Sequence, residues 1–487
     1  MNTMVTPNVS GVASPAVSPI IDNLTAQART ILGAALGSQP LVSFQSGALG
    51  NFPYYYSDPN SLKFNALTYN WINNALANNN PPIQQASGSL FTSSFINVLS
   101  TVTYSLSKAD QAKLNAAYAN AQNQQMALLN AWQAAYGSRP QPGKNQTVID
   151  AVIAIICSTW ATPPTSLNAI QSSTNLHKLL NSAPASGQTL MPVLANYVDA
   201  LGDSVTLANA QTMNNAYVGD ALDAVQNPAA DNGAILLNDN TGKYYPAYTV
   251  SPQLPDIING LSSTNSIELV MNVSMASDSE YSVSIQGGTS FSIPFAEFFS
   301  LGVSGNASYF HDQIVRNASA VSIKMTFTGV TLVNYTPNAF NESTTLNWYL
   351  IEPILEAIRN QNQDVTGFHF SPQPGINFGP SGSFGILQGV AISNYPSIQI
   401  TVTSSNYQSI QTTFQQSVST SLSFLGIPLG SASESTYSNS ASSSASNSTV
   451  TISFNPPPNL VAGTNVSSMG WVLGVQTNYP TVGAGTN

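Results

Sequence analysis

Between Ser409 and Ser423 every odd position is Ser, Thr or Gln, while Ile410, Phe414, Val418, Leu422 and Phe424 share the even positions. Side chains of a strand point alternately to opposite faces, so this period of two predicts an extended segment with one apolar and one wet face. The same pattern occurs earlier. Tyr281, Val283, Ile285, Phe291 and Ile293 alternate with Ser282, Ser284, Gln286, Ser290 and Ser292. Each segment is followed by a shorter alternating run, Val321-Ile323-Met325-Phe327 and Val450-Ile452-Phe454. Half-buried antiparallel sheet is the expected outcome.

These segments recur in one order, as if a module were written twice. Ser266–Leu269 aligns with Ser397–Ile400, Tyr281 with Tyr407, and Leu301–Val303 with Leu425–Ile427. Val321–Ile323 then aligns with Val450–Ile452, Leu332-Val333 with Leu460-Val461, and Thr344–Leu350 with Ser467–Leu473, which brings Trp348 onto Trp471. Small loop deletions account for the shortening offset. Trp348, Trp471, Tyr281 and Tyr407 are therefore candidates for module core or for an interaction surface, since Trp and Tyr join a flat apolar body to a polar tip. A Pro/Gly-rich connector, residues 371–385, separates the copies.

The earlier chain has a different texture. Pro19 opens a helix through Ile20–Leu36, with Gly37 as its stop. Ser107 caps a long helix to Tyr136, whose Leu114, Tyr118, Ala121, Leu128, Trp132 and Tyr136 recur at three-to-four spacing. Further helices are expected over 147–160, 166–181 and 190–226. Asn238–Gly242 reads as a hairpin turn between Ile235–Leu237 and Tyr244–Tyr248. The expectation is an α+β multidomain chain in which an N-terminal helical domain precedes a duplicated antiparallel, sandwich-like β region. Its parts are a mixed segment 1–105, a helical domain 106–230, module copy one at 235–370 and copy two at 386–487.

Charge is scarce. Asp, Glu, Lys and Arg make up 7% of the 487 residues, against about 25% in ordinary soluble domains. After Arg359 the chain has no Lys or Arg, and Asp364 and Glu434 are its only acids. Eleven basic residues and a net charge of −10 argue against nucleic acid, whose phosphates require clustered cations. They argue equally against docking on anionic lipid, but leave glycan or neutral lipid surfaces as partners.

Chemistry is not announced. Three histidines, His177, His311 and His369, form no metal-ligand spacing. The lone Cys157 sits in an apolar helical run and reads as core. No elbow serine, phosphate loop or dinucleotide fingerprint occurs, so no cofactor, metal or catalytic residue is assigned. Asp199/Asp203 and Asp220/Asp223 read as solvated helix surface. Glu352, in an apolar run, is expected to be half-buried. No run reaches the roughly 20 apolar residues of a spanning helix, and Met1–Met4 do not begin a secretory signal. Cytoplasmic synthesis with non-classical release is the expectation, with the compartment itself left open.

Three functions fit these features. The first is a non-catalytic interaction or self-assembling structural protein, because a neutral Ser/Thr/Asn skin has little repulsion to keep copies apart and few edge lysines to block pairing. The second is a β-barrel pore-forming, toxin-like protein that inserts amphipathic hairpins, with Ile410, Phe414, Val418, Leu422 and Phe424 toward lipid. Against it, the return run is short of the roughly 9–11 residues that span a bilayer unless the Ser/Ala tract at 431–448 joins it, and that tract is apolar on neither parity. The third is a glycan-active enzyme with two carboxyls at a suitable separation.

Overall fold

The computed structural model describes residues 17–480, apart from 38–39, 46–50, 55, 57–62, 78–82, 159–163, 165, 168–169, 171–184, 186, 302–317, 343–345, 380–381, 383, 418–421, 426, 430–436 and 458–468. The chain forms an N-terminal helical region followed by several antiparallel sheets, an α+β multidomain fold. It divides into two compact units. One comprises Met1–Ser100, Ala221–Tyr349 and Pro374–Asn487; the other comprises Thr101–Asp220 and Leu350–Gln373.

The first unit is built around its two largest sheets. Their strands in chain order are β1 Asn51–Phe52, β2 Tyr248–Ser251, β3 Ser266–Met275, β4 Glu280–Ile285, β5 Ser290–Pro294 and β6 Ala320–Thr328. They continue with β7 Thr331–Pro337, β8 Ile386–Ser393, β9 Ser397–Thr403, β10 Ser438–Ser444, β11 Thr449–Asn455 and β12 Gly470–Asn478. The larger sheet has the order β5-β4-β3-β6-β9-β11-β10, and the smaller one β1-β12-β8-β7-β2. All the pairings within them are antiparallel.

The strand order repeats. The chain crosses from the smaller sheet to the larger at β2–β3 and returns at β6–β7; it crosses again at β8–β9 and returns at β11–β12. The larger sheet therefore has the central order β3-β6-β9-β11, and the smaller one β2-β7-β8-β12. The β6–β7 corner takes two residues, of which Gly329 has φ +71°. A Cβ there would lie 2.1 Å from the Leu261 carbonyl oxygen, so both conformation and space demand glycine. Helix α5, Leu254–Leu261 in this chain, leads from β2 toward β3. The Asn394 amide donates to the Leu261 carbonyl at 2.6 Å, tying the β8–β9 corner to the end of this helix.

Alternation works in the larger sheet as its sequence implies. The odd residues Ile267–Val273 of β3 and Val321–Phe327 of β6 are buried, as are the even residues Ile398–Val402 of β9 and Val450–Phe454 of β11. Each such side chain contributes about 1.5–3 kcal/mol. Helix α1, Ser18–Leu32, closes this core with Ile20, Leu24 and Ala28. Thr25 of α1 donates from its hydroxyl to the Leu473 carbonyl at 2.6 Å.

In the second unit Ser107 accepts a hydrogen bond from the Asp110 N–H and caps α2, Lys108–Tyr136, which ends at left-handed Gly137. Leu114, Ala121, Leu128 and Trp132 are buried, but Tyr118 is exposed, which corrects the expected face. Helices α3, Val148–Ile156, and α4, Met191–Gln226, follow. Leu128, Trp132, Val152, Ile156, Cys157 and Leu194 share a core. Helix α6, Glu352–Arg359, is also in this unit, as is strand Gly367–Phe370, paired with Val102–Ser105. The helix expected over 166–181 lies largely outside the described residues.

Two corrections bear on the repeat. Trp348 and Trp471 are not equivalent: Trp471 lies in β12, whereas Trp348 follows β7 outside any strand. The other departure is α7, Tyr407–Ser417, a helix where the alternation predicts a strand. Tyr281 in β4 and Tyr407 at the start of α7 are consequently in different settings.

Candidate functional site

The outer face of the seven-stranded sheet is the strongest candidate surface. Strand pairing aligns one residue from every strand into a lateral row: Ser290, Ser284, Asn272, Ser322, Thr401, Thr451 and Ser442. With strands about 4.8 Å apart, the row crosses close to ~30 Å. Six of its members are hydroxyls and one is an amide. The Thr401 and Thr451 hydroxyls stand 3.4 Å apart. Beside the row, Ser292, Ser282 and Ser274 are aligned on one side of the sheet and Thr403, Thr449 and Ser444 on the other.

The face is concave around this row. A depression of about 300 Å³ is lined by Asn272, Ser282, Ser284, Ser322, Thr401, Thr403 and their neighbours. Among the described residues no aromatic ring lines it. The charged residues of the seven strands are Glu268, Glu280 and Lys324. Lys324 pairs with Glu268 at 2.5 Å, and both are substantially exposed, so the pair adds little stability. Such a surface can exchange hydrogen bonds with water or with another neutral polar surface.

Two long excursions between the central strands of this sheet, each of which also forms outer strands of the same sheet, begin side by side. Residues 276–319 connect β3 to β6, and residues 404–448 connect β9 to β11. Val273 opposes Val321, Ala320 opposes Thr403, and Thr403 opposes Thr449, so both excursions start and finish at one end of the four central strands. In the first, β4 and β5 form a hairpin closed by Gln286 and Gly287, both with positive φ. In the second, α7 and then β10 lie against β11. A small antiparallel sheet joins the excursions where Phe299–Leu301 pairs with Leu422–Phe424, and the rings of Phe298 and Phe424 meet edge-on at 5.0 Å.

The residues singled out from sequence are dispersed. Trp348 is buried among Phe91, Phe95 and Tyr248, and its indole N–H donates to the Ala247 carbonyl at 2.7 Å. Trp471 is buried against Phe327 and Tyr395. Tyr281 is buried with Phe295 and Phe298 around its ring, and Tyr407 is half-buried. Of the even-position set, Ile410 is buried in the main core and Phe424 is buried beside Phe298. Phe414 belongs to α7 and Leu422 to the small sheet, while Val418 lies outside the described residues.

Other candidates carry no site. Glu352, expected to be half-buried, is exposed in the first turn of α6. Cys157 is wholly buried, and burial pushes its thiol up to about 11, which removes the thiolate needed for nucleophilic chemistry. Among the described residues no three His, Cys, Asp or Glu side chains gather to hold a metal, and no helix is long and apolar enough to cross a membrane.

The lateral row is the feature that strand-by-strand reading misses. Alternation marks the polar side of each strand, but strand order and register decide which polar residues become neighbours. No protein-family model, characterised protein or solved structure matches the chain.

Proposed function

We propose that this chain is a non-catalytic, self-associating protein that acts on neutral lipid surfaces by inserting two β-hairpins, one from each excursion of its large sheet. The observation that carries this reading is the common origin of residues 276–319 and 404–448 at one end of four adjacent antiparallel strands. Extension of β3, β6, β9 and β11 through these segments would give two neighbouring hairpins. Sequence parity supports the extension. Tyr281, Val283, Ile285, Phe291 and Ile293 keep the odd parity of the buried side of β3, and Ile410 and Phe414 keep the even parity of the buried side of β9. The Ser/Thr/Asn side of the sheet would then continue as the wet wall of a barrel, and the apolar side would meet lipid. The second segment, 404–448, has Glu434 as its one charged residue, which lowers the cost of carrying it into hydrocarbon. Release of a dye from phosphatidylcholine vesicles tests this reading. Leakage that rises more steeply than linearly with protein supports a self-associated pore, and intact vesicles carrying folded protein refute it.

A second reading rests on the seven-strand row itself. A concave, uncharged array of hydroxyls fits a neutral, hydroxyl-rich polymer such as a glycan, with no insertion. Cosedimentation with insoluble polysaccharides, lost on Ser322→Lys with Thr401→Lys, would favour it.

A further inference from the structure

Every edge of the two large sheets but one is short and meets a proline. β1 has two residues and is followed by Pro53, β2 has four and is followed by Pro252, and β5 has five and ends at Pro294. Proline lacks the N–H that a neighbouring strand would bond, so it limits pairing. β10 is the exception. Its seven residues, Ser-Asn-Ser-Ala-Ser-Ser-Ser, keep register with β11 without a bulge and include neither proline nor charge. Exposed edges ordinarily carry a lysine, a proline or a bulge that blocks a further strand, and β10 has none of these. Among the described residues no strand pairs with its other side. Ser438, Asn439, Ser440, Ser442 and Ser443 are exposed, so both faces of the strand are largely open. The Gln411 amide donates to the Ala441 carbonyl at 3.2 Å, and that oxygen keeps a second lone pair.

The strand is complementary to itself. Its even residues lie on the hydroxyl face of the sheet, since Ser440 opposes Ser453 and Ser442 opposes Thr451; its odd residues lie on the side of Phe454, Ile452 and Val450. A two-fold antiparallel pair that keeps those faces together centres on a residue rather than on a peptide bond. Centred on Ala441, all seven residues are paired. Ala441 meets its own counterpart, Ser440 meets Ser442, Asn439 meets Ser443 and Ser438 meets Ser444. Each contact joins small neutral side chains. No like charges oppose one another, although the chain has a net charge of −10, because from residue 365 onward Glu434 is its one charged side chain. The same register continues the polar face. Ser453 and Ser440 of one copy fall in line with Ser442 and Thr451 of the second copy, so two hydroxyl surfaces become one.

We infer that β10 pairs antiparallel with β10 of a second copy about a two-fold axis at Ala441, joining two seven-stranded sheets into one. This rests on the self-association in the reading above and names its strand, register and symmetry. A contact of one short strand is smaller than the interface of a permanent dimer, so the association is weak and concentration-dependent. A two-fold contact is closed: it uses the open edge of both copies and stops at two.

Sedimentation of the full chain without lipid, from micromolar to sub-millimolar concentration, tests the inference. The expected mass rises from one copy to two and no further. Ser440→Lys with Ser442→Lys gathers like charges across the axis and should stay monomeric throughout, with an unchanged circular dichroism spectrum. Cysteine scanning reads the register. Under mild oxidation Ala441→Cys should form a disulfide-linked dimer with itself. Asn439→Cys and Ser443→Cys should link only when mixed with one another, because each lies roughly 14 Å from its own counterpart. Cys157 is wholly buried and stays in place. A monomer at all concentrations, a dimer that survives the lysines, a mass that grows past two copies, or equal linkage of each cysteine with itself overturns the inference. Dye release reads insertion separately. Intact vesicles beside a lysine-sensitive dimer refute insertion and leave the β10 contact standing; leaking vesicles beside a strict monomer do the reverse.

Discussion

Ala320 and Thr403 stand opposite each other at the centre of the large sheet, at the point where the chain enters β6 and leaves β9. This pairing puts the ends of two separate excursions next to one another. Strands that end together can be extended together, and that relationship underlies the hairpin reading.

The corner at Gly329 should tolerate no side chain. Gly329→Ala adds a Cβ at φ +71° and 2.1 Å from the Leu261 carbonyl oxygen. The strain and the overlap together should cost roughly 2–4 kcal/mol. A lowered urea midpoint at an unchanged m-value would show it; a midpoint within error of wild type would contradict the corner geometry.

Trp348→Phe should cost about 1–3 kcal/mol, because it removes the indole donor to the Ala247 carbonyl and leaves a gap in an aromatic core. The same measurement on a Trp348→Tyr variant should not restore the loss, since a phenol presents its polar atom elsewhere and the Ala247 carbonyl keeps only its bond from the Asn338 N–H at 3.1 Å.

Asp150 should make the helical unit acid-sensitive. Its carboxylate accepts from the Thr147 N–H at 2.9 Å and the Leu167 N–H at 2.8 Å, and these bonds, with the Thr147 N–H foremost, hold it below the usual carboxylate range. A lowered folded-state value means that its stabilisation is complete above the unfolded value, near 3.8, and is lost as pH falls through the folded one. Asp150→Asn should cost about 1 kcal/mol at neutral pH and flatten the acid limb of melting temperature against pH.

Cys157 should be silent to thiol reagents in the folded protein. Burial raises its thiol to about 11 from 9.0, so the fold favours the protonated form and this stabilisation is lost as pH rises through that range. Ellman's reagent at pH 8 should react only after addition of denaturant; rapid reaction of the native chain would contradict the packing.

How far the sequence discloses this fold depends on the kind of strand. β3, β6, β9 and β11 each have one wet face, so their alternation reveals them. β8 is buried on nearly every residue, and its sequence Ile-Leu-Gln-Gly-Val-Ala-Ile-Ser has no period of two that distinguishes it. β1 joins β12 from the other end of the chain, a pairing no local pattern encodes. Trp348 and Trp471 align because each follows an alternating run, but only Trp471 continues in a strand; local similarity does not carry the tertiary packing around it. Residues 407–417 depart too: the polar odd positions suggest a strand, but Tyr407, Ile410 and Phe414 also have the spacing of a helix face, and Ile410 reaches the core from a helix. The hydroxyl row was legible as polar parity, strand by strand, but its assembly from seven separate segments required the register.

Electron microscopy of the purified protein with and without phosphatidylcholine vesicles addresses hairpin insertion most directly. The account predicts dispersed particles alone and discrete ring-shaped assemblies embedded in the vesicle membrane. Smooth, unmodified vesicles beside folded, unassembled protein would contradict it.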